Sequence, residues 1–253
     1  MIDLHSHLLP GVDDGSRSVA QSVKVLKEMA AHGVTDLCLT PHLRAGELAK
    51  ALPPAHEVAF AALQAEAPAV PRLHRGAEIM LDRPLPPNGQ SARRCTIGGT
   101  RYILVEFPRM VALDTVTIAL GRVLETGLLP LLAHPERYTC CSPEAVARWR
   151  ELGARTQVDS TTLLSPQSRG QRARALVAAG LADILAADNH GDERSIATGR
   201  RFLEAQDAVD QAELLTVANP RAVLDDSPLT PVPPVEIRRT WMQRIRQLLE
   251  GGE

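Results

Sequence analysis

An α/β fold, with a parallel sheet and helical crossovers, is what this sequence predicts, and three observations predict it. Short apolar runs alternate with amphipathic stretches from the start to about residue 224. About six or seven β/α units fit in that span, which favours a barrel over an open sheet. The 253 residues, 44% hydrophobic and 23% charged, suit one substantial core, and α/β barrels use this length as a single domain.

The elements follow in order. Ile2 to His5 is a brief strand, and Val19 to Ala31 has helical spacing (Val19, Val23, Leu26, Ala30) that stops at Gly33. Thr35 to Thr40 is β-like and is halted by Pro41; Ala55 to Ala67 reads as a helix and Leu73 to Met80 as a strand. Tyr102 to Phe107 is a strong strand before a helix from about Leu113 to Glu125. Leu129 to Ala133 and Arg155 to Val158 are strands around a helix over Pro143 to Leu152. Gln167 to Ala179 is a helix, Ile184 to Ala187 a strand, and 195–216 largely helical. The barrel therefore spans 1–224, and a Pro-rich linker occupies 225–236. A terminal amphipathic helix over 237–253 places Ile237, Trp241, Ile245 and Leu248 on one face. That face is expected to dock on the body or on a second copy, in a homo-oligomer.

Composition excludes several classes. A net charge of −2 gives no general pull toward nucleic acid or anionic membrane, and 3% aromatics offer no base-stacking track. No run approaches the roughly 18 apolar residues of a membrane span, and the opening Met-Ile-Asp-Leu-His-Ser-His is no signal peptide. Cys38, Cys95, Cys140 and Cys141 form no CxxC pair, which fits a reducing, cytoplasmic setting.

The chemistry lies in where the ligand-type residues stand. His5 and His7 end the first strand, where i and i+2 side chains share a face. Asp13 and Asp14 follow in a turn between Gly11 and Gly15. His42 ends the second strand, Glu78 lies in the third, Glu106 ends the fourth and His134 ends the fifth; Asp188 and His190 repeat the i, i+2 pattern after the last. Singly, each has an ordinary reading, such as a loop histidine or a helix cap. Jointly, they mark the strand-end rim where β/α barrels build active sites. Imidazole with carboxylate and no thiolate suits manganese, iron or zinc.

The motifs His5-Ser6-His7, Asp13-Asp14-Gly15, Thr40-Pro41-His42, Gly76-Ala77-Glu78, Glu106-Phe107-Pro108, His134-Pro135-Glu136-Arg137-Tyr138 and Asp188-Asn189-His190 together resemble the polymerase and histidinol phosphatase (PHP) superfamily. Within it, residues 1 to about 224 look like the bacterial CpsB/YwqE-type protein-tyrosine phosphatases. The resemblance implies a distorted (β/α)7 TIM-like barrel of the PHP type holding three divalent metal ions, manganese foremost. By motif, His5, His7, Glu78 and Asp188 would bind the first ion. Glu78 would bridge to a second, completed by Glu106 and His134, and Asp14, His42 and His190 would hold the third. Arg137 matches an arginine that contacts substrate phosphate. Three departures are Leu43, where a second histidine is frequent, Asn189, where a small residue is usual, and Arg194, which stands slightly out of the expected spacing.

Phosphate monoesters hydrolyse extremely slowly unaided, a difficulty answered by metal ions and by arginines that fork onto phosphate oxygens. Arg137, Arg109 and Arg194 are the candidates for that contact, and Asp188 is a candidate general acid. The expected substrate is a phosphotyrosine protein, a tyrosine kinase of capsule or exopolysaccharide synthesis. A small phosphate such as histidinol phosphate, a nuclease activity and an inactive metal-stabilised regulator are the alternatives. A cysteine mechanism is also open to test, since Cys-x5-Arg occurs at Cys38 to Arg44 and at Cys95 to Arg101.

Overall fold

The computed structural model describes residues 1–48, 52–85 and 90–238. Its strands are β1 (Ile2–Asp3), β2 (Asp36–Leu39), β3 (His42–Arg44), β4 (Arg72–Arg75), β5 (Glu78–Met80), β6 (Tyr102–Glu106), β7 (Leu129–Ala133), β8 (Arg155–Asp159) and β9 (Ile184–Ala186). The helices are α1 (Val19–Ala31), α2 (Pro54–Glu66), α3 (Gln90–Arg93), α4 (Leu113–Glu125), α5 (Pro143–Glu151), α6 (Ser168–Ala178), α7 (Ile196–Glu204), α8 (Val209–Glu213) and α9 (Asn219–Leu224).

All strand pairs are parallel, in the orders β1-β2-β4 and β3-β5-β6-β7-β8-β9. Two strand lines are each broken in two. Pro41 interrupts the line of β2 and β3, and Gly76-Ala77 interrupts the line of β4 and β5. The predicted strand over Leu73 to Met80 is therefore two short strands in different sheets. As predicted, Pro41 halts β2; the chain then pairs again as β3, in the other sheet, a short strand the sequence reading did not include.

The first and last strand lines meet without a full ladder. Ser6 bridges Asn189, the His7 amide donates to the Asn189 carbonyl at 2.7 Å, and the Ala187 amide donates to the Asp3 carboxylate at 3.2 Å. This joint brings the first metal-type pair, His5 and His7, beside the last, Asp188 and His190. At the opposite end, Asp36 accepts from His74, Arg72 and Arg221, tying β2 and β4 to α9.

Helix starts follow the sequence. Ser18, Ser142 and Ser195 each accept a backbone N–H of the following helix, and Pro143 occupies the first turn of α5. The stretch 195–216 breaks at Asp207, whose φ of 61° is left-handed, into α7 and α8. β6 is buried along its whole length, and Trp149 of α5 is buried with its indole N–H donating to Thr117 of α4 at 3.0 Å. The Pro-rich stretch after α9 lies against the body: Val232 is buried, the Val235 amide donates to Ala178, and Thr230 exchanges hydrogen bonds with Asn219. Of the predicted terminal helix, Ile237 packs on the main core, and everything from residue 239 onward lies outside the described residues. No helix among the described residues is long and apolar enough to cross a membrane.

Candidate metal centre

The strand ends place the ligand-type side chains on one rim. The turn after β1 packs so closely on His7 that a Cβ at Gly15 would stand 2.0 Å from the His7 carbonyl oxygen, so only glycine fits there. That contact holds the turn carrying Asp13 and Asp14 over the histidine pair. His134 and Asp188 occupy left-handed backbone, with φ of 34° and 50°, an unfavourable conformation for residues other than glycine. Such strain persists where the surroundings impose it, and it is concentrated at functional sites.

Four groups of ligand atoms, each within 4.8 Å, emerge: His7, Asp14, His42 and His190; His5, Glu78 and His134; His5, His7 and Asp188; His42, Glu78 and Glu106. Together they contain all nine residues singled out in the sequence. The grouping differs in detail from the motif-based one. His7 reaches toward Asp14, His42 and His190 as well as toward Asp188, and His42 also faces Glu78 and Glu106.

The histidine tautomers explain what this cluster is suited to hold. His5 Nδ1 donates to the Gln157 amide oxygen at 2.8 Å, and His7 Nδ1 donates to the Asp13 carboxylate at 2.8 Å. In its neutral form each ring then directs an Nε2 lone pair into the cluster, where the two nitrogens are 3.1 Å apart. Glu78 Oε2 lies 3.2 and 3.3 Å from these nitrogens, and Asp188 Oδ1 lies 3.3 Å from both. Glu78 Oε2, Asp188 Oδ1 and His42 Nδ1 are buried without a hydrogen bond. Lone pairs converging on one buried space repel unless a proton or cation sits among them, so the donor set fits divalent ions.

The electrostatics agree. Burial pushes the Glu78 carboxyl upward, but His5, His134 and His42 outweigh it and hold it well below the usual range. Burial likewise opposes ionisation of Asp188, and His5, His7 and Arg137 overcome it. Burial lowers His42, while Glu106 and Glu78 raise it to about 10. Against burial, Asp13, Asp188 and Glu78 raise His7 well above the usual imidazole range, so the cluster gathers positive charge, as protons on its rings or as a cation that displaces them.

The arginines separate by position. Arg137 Nη2 donates to Asp188 and, at 3.1 Å, to Asp159. Arg194 is gripped by Asp192 and reaches to 3.6 Å from Asp188. Arg109 is exposed and lines a cavity of about 370 Å³ that also touches Glu106, His134 and Arg137. Sequence reading missed Gln157 and Asp159 and left Asp13 without a role. Asp13 stood in the Gly-rich turn beside Asp14, whereas Gln157 looked like an ordinary polar position of a strand and Asp159 fell just past the predicted strand end.

Neither cysteine loop is built for phosphate. Cys38 is fully buried inside β2. Burial pushes the Cys95 thiol up to about 11, and Arg101 is tied to Asp226. Cys95→Ser is accordingly expected to leave turnover of p-nitrophenyl phosphate within about twofold of wild type; a collapse of the rate would restore the cysteine mechanism.

Comparison with known proteins converges on one group. The family model CpsB/CapC, capsular polysaccharide synthesis, matches residues 1–225. The tyrosine-protein phosphatase CpsB of Streptococcus pneumoniae is 28% identical over 243 residues, covering 89% of this chain and 99% of that protein. The tyrosine-protein phosphatase YwqE of Bacillus subtilis is 28% identical over 200 residues, 75% of this chain and 77% of its own. A crystal structure from work on YwqE and CpsB as metal-dependent tyrosine phosphatases matches with a TM-score of 0.76 at 27% identity, covering 94% of this chain and 100% of that one. The TatD homologue YJJV of Escherichia coli, at 17% identity and a TM-score of 0.51, covers 90% of this chain and 98% of its own, a likeness of fold alone.

Proposed function

This chain belongs to the CpsB/CapC family of capsular polysaccharide synthesis, and from that membership we propose that it is a metal-dependent phosphomonoester hydrolase that dephosphorylates phosphotyrosine. The observation that carries the reading is the buried convergence of Glu78 and Asp188 oxygens on the Nε2 atoms of His5 and His7.

Three divalent ions, manganese foremost and iron or zinc next, would be held by the nine residues. His5, His7, Glu78 and Asp188 would share one, Glu78, Glu106 and His134 a second, and Asp14, His42 and His190 a third. When bound, such ions supply Lewis acidity that activates water and neutralises phosphate oxygens. Gln157 and Asp13 fix the histidine rings so that Nε2 faces inward. Arg137, steadied by Asp159, presents guanidinium N–H groups to a phosphate beside the cluster, and Arg194 stands ready for a second contact. Asp188 is held ionised, so it anchors Arg137 and has no proton to give a leaving group. A tyrosine ester needs little such help, because phenolate leaves with a pKa near ~10.

The expected physiological substrate is a tyrosine kinase of capsule or exopolysaccharide synthesis, met in the cytoplasm. The manganese-loaded protein should hydrolyse a phosphotyrosyl peptide at least about tenfold faster, in kcat/KM, than a phosphoseryl peptide or histidinol phosphate. Preference for histidinol phosphate would replace this reading with the small-metabolite one.

A further inference from the structure

We propose that the cavity beside the metal cluster selects phosphotyrosines flanked by acidic residues, with Arg109, Arg169 and Arg172 reading the flanking carboxylates. This rests on the phosphotyrosine reading and names the substrate class within it.

The cavity holds about 370 Å³, within the range of roughly 300–1,000 Å³ typical of ligand sites. Glu106, His134 and Arg137 contribute to its wall, so the cavity is continuous with the candidate metal centre. Met80 and Pro108 supply apolar surface for a phenyl ring, backed by the buried Phe107. A phosphate held at the cluster would put the ring against this surface and leave the peptide chain at the open side.

That side is basic beyond what one phosphate requires. Arg109 and Arg169 are exposed, and neither guanidinium has a hydrogen-bond or ion-pair partner among the described residues. Arg172 donates its Nε to the Glu136 carbonyl at 2.8 Å, which anchors its guanidinium at the cavity wall. Among the described residues that line it, the sole carboxylate is Glu106, which faces the cluster. The chain as a whole carries −2, so this gathering of arginines is local. Like charges held together repel, and an anionic ligand relieves that repulsion while gaining bidentate contacts. Clusters of arginine are a recurring way of recognising acidic and phosphorylated segments.

Three peptides of equal length, with the phosphotyrosine flanked by Glu, Ala or Lys, test this on the manganese-loaded protein. The ratio of kcat/KM for the Glu-flanked over the Lys-flanked peptide should be about fivefold or more at low salt and fall toward one at high salt. Arg169→Glu, a change at an exposed side chain, should bring the ratio to one or below, and Arg109→Glu should act in the same direction. A ratio near one in the wild type, or one that Arg169→Glu leaves untouched, would overturn this inference while p-nitrophenyl phosphate is still hydrolysed. Failure of the wild type to hydrolyse p-nitrophenyl phosphate at all would instead overturn the phosphatase reading and this inference with it.

Discussion

Glu78→Gln is expected to lower phosphatase turnover by at least about 10³-fold and to lower bound metal. Glu78 is fully buried and touches four imidazoles: Oε2 lies 3.2, 3.3 and 3.1 Å from His5, His7 and His42, and Oε1 lies 2.8 Å from His134. Its carboxylate is shared by two of the four ligand groups. The amide keeps the shape of the side chain but removes the charge and turns one ligand oxygen into an N–H₂ donor pointed at lone pairs. Circular dichroism separates loss of the site from loss of the fold. A folded Glu78→Gln protein with wild-type rate and metal content would show that this carboxylate binds nothing.

Arg137→Lys is expected to cost about 10²- to 10³-fold in kcat with metal content unchanged. Arg137 meets both Asp159 and Asp188 through one nitrogen, Nη2, which leaves the donors of its other nitrogens for a ligand. Lysine retains the charge but presents a single ammonium. The loss should therefore fall on the rate, through phosphate orientation in the transition state, and exceed any change in metal affinity. Turnover close to wild type would remove Arg137 from the phosphate contact.

The two variants divide the site as the sequence and structure divide it. The ligand-type residues were legible because strand ends and i, i+2 pairs follow from local pattern: His5 with His7, and Asp188 with His190, need only an extended backbone to share a face. Their meeting across the ends of the chain was expected from closure of a barrel, but the contacts that make it are not local. It depends on the Ser6–Asn189 bridge and on Asp3 accepting from Ala187, which no periodicity announces. Gln157 was illegible for the same reason, since its value lies in standing 2.8 Å from a histidine 152 positions away.

Errors in the element reading are of another kind. Gly76, a break signal inside the polar stretch His74-Arg75-Gly76-Ala77-Glu78, was passed over in reading one strand from Leu73 to Met80, and the break between β4 and β5 there moves Glu78 into a different sheet from His74. Pro41 does halt β2, as read; what went unread is β3, which starts directly behind it in the other sheet and carries His42 toward Glu78 and Glu106. Both breaks redirect a ligand-type residue, a local irregularity that serves the site at the expense of sheet regularity.

Elemental analysis of the desalted protein, after incubation with manganese, tests the central claim most directly. About three divalent ions per chain are expected to remain, as the three-ion assignment of the His, Asp and Glu ligands requires. A protein that retains less than one ion per chain, yet hydrolyses p-nitrophenyl phosphate at full rate in the presence of a chelator, would contradict it.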